Sequence, residues 1–161
     1  MMHRRAFLLS TTGAIPLGAC AGVDKNLADL LLYGKALFNG SKSAWAQLQA
    51  SPAIMQFVSA DTRNTITVTG RAIGAVLDEL SAAQSTAQAQ PIVAKLGTYV
   101  RAVLSAFGTI PGLPPTIAGL LALVQIVLPV LESLVGIGIA TAQQVQDAVQ
   151  AKNALLAAPT N

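Results

Sequence analysis

The chain has 161 residues, of which 53% are hydrophobic, 11% charged and 4% aromatic. Ordinary soluble domains carry about 25% charged residues, so this composition excludes a disordered chain and points to one compact or membrane-associated domain. The formal charge of +3 includes Arg4 and Arg5; without them eight scattered basic side chains face seven acidic ones, which excludes the basic stripe of a nucleic-acid binder.

Residues 1–20 have the order of an export signal: a positive start, a short apolar core from Ala6 to Leu17, then small residues up to Cys20. The apolar core is too short to span a bilayer, which takes about 20 residues. Arg4-Arg5-Ala6-Phe7-Leu8 resembles the twin-arginine export signature, in which Arg4, Arg5, Phe7 and Leu8 occupy the recognised positions. Leu9 stands where that signature often has a polar residue, and the general secretory route is the alternative. Leu17-Gly18-Ala19-Cys20 resembles a lipobox, the processing site of bacterial lipoproteins. The resemblance implies that residues 1–19 are a cleaved signal peptide and that Cys20 carries the lipid. Residues 20–161 would then form a single domain facing the periplasm. Ala21 follows the cysteine instead of the Asp that retains such proteins at the inner membrane, which favours the outer membrane. Cys20 is the only cysteine, so no internal disulfide is expected.

Beyond Cys20 the pattern is that of an all-α chain, a small bundle of four or five helices. The first helix is expected from Asp24 to Gln49, with Leu27, Leu30, Leu31, Leu37, Phe38, Trp45 and Leu48 at three- and four-residue steps. Gly34 and Asn39-Gly40 are candidate breaks in it. Ser51-Pro52 predicts the start of a second helix, with Ser51 as N-cap and a stripe through Ile54, Val58, Ile66, Ile73, Val76, Leu77 and Leu80. Thr62–Thr69 has strand-like content, but its flanks continue as helix; Gly70 is a candidate bend. Residues 81–90 carry no charge and read as a frayed end or linker. A third helix is expected to start at Pro91 and to stop at Gly108, on a face formed by Val93, Leu96, Val100, Val103, Leu104 and Phe107. Pro111, Pro114 and Pro115 make 110–115 a loop.

Ile117–Ala140 is long enough to cross a membrane. Within it Glu132 costs about 2.5 kcal/mol or more on insertion scales, and Pro129 removes a backbone donor. No Lys or Arg flanks the run. It is therefore read as the central helix of the bundle, surrounded by neighbours, with Glu132 either exposed or paired to a side chain such as Lys95 or Arg101. Thr141-Ala142-Gln143-Gln144 has the form of a capping box opening a last helix to about Ala157.

The only histidine, His3, lies in the signal. The remaining chain has neither a nucleophile–histidine arrangement nor the usual zinc ligands. Asp78-Glu79, adjacent on a helix, point in different directions and read as a solvated face; Tyr33 and Trp45 read as packing. No enzyme activity, cofactor or metal is expected. The expected function is that of a lipid-anchored envelope protein with a structural or accessory role, held to membrane lipid through Cys20 and acting on a protein partner. The signal together with a proline-interrupted apolar helix resembles small lipoproteins of phage and prophage gene clusters. That resemblance implies the alternative function: a membrane-active protein whose 117–140 segment enters the bilayer in lysis or exclusion. A carrier of an apolar ligand between helices is the third reading.

Overall fold

The computed structural model describes residues 18–159, in six helices and no strand. They are α1 (Gly18–Gln49), α2 (Pro52–Met55), α3 (Ala60–Ser81), α4 (Thr86–Gly108), α5 (Pro115–Leu134) and α6 (Ala142–Ala157). Five of these are long and form an all-α bundle, because each buries one apolar stripe against the others.

α1 is already helical at Gly18, the first described residue and six ahead of the predicted start, and runs unbroken through Gly34 and Gly40. Both glycines are buried and serve close approach instead of a bend. A Cβ on Gly40 would lie 2.6 Å from the Leu155 side chain and 2.9 Å from that of Val124; one on Gly34 would lie 2.7 Å from Leu77. The helix–helix contacts supply more than the roughly 1 kcal/mol of helix propensity that each glycine forgoes.

These contacts also set the directions. Leu155 packs at Gly40 and the Lys152 ammonium sits 4.9 Å above the Tyr33 ring, so α6 runs parallel to α1. Leu96 lies near Gly34 and Phe107 meets Trp45 edge-on at 6.4 Å between centroids, so α4 is parallel too. α3 and α5 run the other way, joined to their neighbours by short connections.

The second expected helix is two. α2 is a single turn, and Ser51 makes no capping bond; its hydroxyl instead donates to the Gln47 carbonyl, 3.1 Å away, at the end of α1. The chain turns at 56–59 and buries Val58. Arg63 donates to the Met55 and Val58 carbonyls, at 2.9 and 3.0 Å, and satisfies groups that a continuous helix would have paired. Ser59 then caps α3 by accepting from the Thr62 N–H at 3.1 Å. Thr62–Thr69 is helical, and Gly70 does not interrupt the helix.

α4 starts at Thr86, not at Pro91. Ser85 accepts from the Gln88 N–H at 3.2 Å, and the Gln88 side chain accepts from the Gln84 N–H at 2.9 Å. With both ends of the turn held, Pro91 is tolerated in the second turn on an exposed face. The helix stops at Gly108, as expected.

α5 opens with Pro115 at its first position and ends at Leu134 rather than Ala140. Gly136, at φ +78°, donates to the Ser133 carbonyl, and Ile137 donates to the Glu132 carbonyl at 2.9 Å. That pair of bonds is a Schellman stop, which needs a residue free of the left-handed penalty at Gly136. Nor is α5 surrounded: α1, α4 and α6 cover one side, while Ala118, Ala122, Gln125 and Pro129 remain exposed. α6 has its capping box, Thr141 and Gln144 bonding reciprocally at 3.2 and 2.8 Å.

Candidate functional site

Glu132 and Arg101 are the buried ionic feature of the bundle. α4 brings Gly97 against the Glu132 carboxylate, where a side chain would clash, and Arg101 donates to both carboxylate oxygens at 2.7 Å. Glu132 is only 7% exposed, while the Arg101 side chain reaches solvent. The pair pins α5 to α4. Lys95, the other expected partner, instead meets Glu79 at 3.0 Å on the surface. That carboxylate hydrogen bond raises the pKa of Lys95 above its ordinary value. Asp78 and Glu79 are both exposed, and Glu79 is the one that pairs with Lys95.

Tyr33 is buried, and its phenol pKa is raised, first by burial and then by the Asp29 carboxylate. Among the described residues no group of three or more His, Cys, Asp or Glu side chains is placed to hold a metal ion.

Between α1 and α3 lies a largely apolar cleft of about 260 Å³. α3 packs mainly on α4, and α1 mainly on α5 and α6, which leaves the seam between them open. Phe38 and Trp45, seven residues apart on α1, form one wall. Gly70 and Gly74, four apart on α3, form the other; nothing lies within 4 Å of a Cβ placed on Gly70, and one on Gly74 would touch only the Phe38 ring, at 3.8 Å. Ile66, Ile73 and Val103 make an apolar floor. The buried Ser41 hydroxyl is already donating to the Leu37 carbonyl at 2.9 Å, so no unpaired polar group points into the floor. At the mouth stand Lys42 and Arg71, both exposed; no acidic side chain lines the cleft, and neither cation has an ion-pair partner among the described residues. A shallower hollow of about 420 Å³ continues the seam past Phe38 to Leu31, Lys35 and Asp78.

Sequence reasoning assigned Trp45 to packing and missed this cleft. Its signal was present: two glycines at i and i+4 on one helix, opposite two aromatics at i and i+7 on another. Which helices face one another is what the pattern lacks.

Of the sequence-predicted export residues, Arg4, Arg5, Phe7, Leu8 and Leu17 lie outside the described residues, as does His3. Gly18, Ala19 and Cys20 lie on α1. α5 is long and apolar enough to cross a membrane, with a mean hydropathy of 2.1 over its most apolar window, of which 44% is buried in the bundle. Comparison with protein-family models, curated proteins and solved structures returns no match.

Proposed function

We propose that the chain is a lipid-anchored helical protein of the bacterial envelope that acts by contact and not by catalysis. The export-type N-terminus and the lipobox resemblance at Leu17-Gly18-Ala19-Cys20 supply the address. The observation that carries the reading is that Cys20 and Ile139, the most exposed large apolar side chain among the described residues, share one end of the bundle. α5 is antiparallel to α1, with Val124 at Gly40, so the turn after Leu134 points toward the start of α1. There Gly138, at φ +88°, turns the chain and leaves Ile139 96% exposed. An acyl chain at Cys20 and an apolar tip at Ile139 are two membrane-directed features on one end, and stable anchoring takes more than one weak signal. The opposite, outward end and the sides of the bundle are then free for a protein partner.

The buried Glu132–Arg101 pair supports a core role for α5, since bilayer insertion would have to expose that carboxylate to hydrocarbon. The test uses the full chain, with metabolic fatty-acid labelling and membrane fractionation. Native protein should take up label and sediment with membranes, while Cys20→Ala should lose the label and stay in the supernatant. A label-free Cys20→Ala protein that still resists carbonate extraction would overturn the anchor reading and install the membrane-active one, with α5 inserted.

A further inference from the structure

We propose that the cleft between α1 and α3 binds a single-chain anionic amphiphile, a fatty acid, with its hydrocarbon against Phe38, Trp45 and the Gly70–Gly74 backbone and its carboxylate at Lys42 and Arg71. This goes beyond the anchor reading and does not rest on it.

Three properties of the cleft select that chemistry. First, the interior is carbon, so it takes hydrocarbon; the one buried hydroxyl, on Ser41, is already committed to the Leu37 carbonyl. Second, the charges are all at the mouth and of one sign. Lys42 and Arg71 arise on different helices, both line the cleft and are exposed, and no acidic side chain lines it with them. An apolar slot with a cationic mouth complements a chain ending in an anion, and Arg71 can grip a carboxylate with two parallel bonds. Third, the size is small. About 260 Å³ lies just below the roughly 300–1,000 Å³ of most ligand pockets, which suits one short acyl chain.

Trp45 is the only tryptophan of the chain and lines the cleft, so its fluorescence reports occupancy directly. The probe is ω-bromoundecanoate, whose bromine quenches an indole only on contact. Quenching should be saturable, reversed by undecanoate, and not reversed by undecyltrimethylammonium or by a lysophospholipid of the same chain length. Lys42→Ala combined with Arg71→Ala should weaken binding about tenfold, the loss of one charge-assisted contact. Gly70→Leu should abolish binding by filling the slot. Because a Cβ there meets nothing within 4 Å, this variant should keep its helical circular dichroism and its melting temperature, which separates a blocked cleft from a damaged fold. Non-saturable quenching, equal displacement by the cationic amphiphile, displacement by the lysophospholipid alone, or full binding by a folded Gly70→Leu protein would each overturn the proposal. The readout is independent of Cys20, so failure here leaves the anchor reading standing, and the Cys20→Ala result leaves the cleft standing.

Discussion

Removing Arg101 tests whether the α4–α5 ion pair holds the bundle together or merely decorates it. In Arg101→Met the Glu132 carboxylate, 7% exposed and pressed against Gly97, loses both of the 2.7 Å hydrogen bonds it accepts from Arg101 Nη2. Stripping one partner from a fully buried pair costs about 3–5 kcal/mol. Here 57% of the Arg101 side chain is exposed, so water reaches the pair from one side and the attraction is partly screened. A loss of about 2 kcal/mol is expected, equivalent to a fall of about 4–8 °C in Tm for a domain of this size. Adding Glu132→Leu removes the orphaned charge and puts hydrocarbon against the Gly97 backbone, and the double variant should return to within about 1 kcal/mol of the native chain. Urea unfolding followed by far-ultraviolet circular dichroism measures all three proteins. If Arg101→Met is as stable as the native chain, or if the double variant is weaker than the single, the carboxylate is not stranded and the account of α5 as a pinned core helix fails.

Two further substitutions probe the packing and the caps. Gly40→Ala places a methyl 2.6 Å from Leu155 and 2.9 Å from Val124, so although alanine is the better helix former, thermal melting should show a net loss of about 1–2 kcal/mol. An unchanged or raised Tm would mean that α6 slides to accommodate it. Thr141→Ala removes the acceptor for the Gln144 N–H and half of the capping box; a loss of about 1 kcal/mol is expected, with the earliest amide exchange in the first turn of α6.

Several elements were legible in the sequence because their causes are local. The stop at Gly108, the proline-rich loop before α5 (109–114, with Pro115 already the first residue of the helix) and the capping box at Thr141–Gln144 depend on residues within one or two turns of each other. The α4 stripe through Val93, Leu96, Val100, Val103 and Phe107 is buried as its spacing predicts. The failures share one cause, that glycine and proline are ambiguous without their neighbours. Gly34 and Gly40 look like breaks but are contact points for α3, α4 and α6. Pro91 looks like a helix start, yet the Ser85 and Gln88 bonds begin α4 a turn earlier.

By itself, then, the sequence determined the helical class, several helix ends and the need of Glu132 for either exposure or a basic partner, since periodicity, capping and the cost of a buried charge act at short range. The tertiary structure decided which partner it was. Lys95 and Arg101 both lie on α4, but Arg101 reaches across Gly97 to α5, whereas Lys95 faces Glu79 of α3. It also decided that the α1–α3 seam stays open beside Gly70 and Gly74, because α3 spends its apolar stripe on α4 while α1 spends its own on α5 and α6. A cleft is made by the residues that two helices fail to place between them, and that shortfall exists only once the helices have been paired.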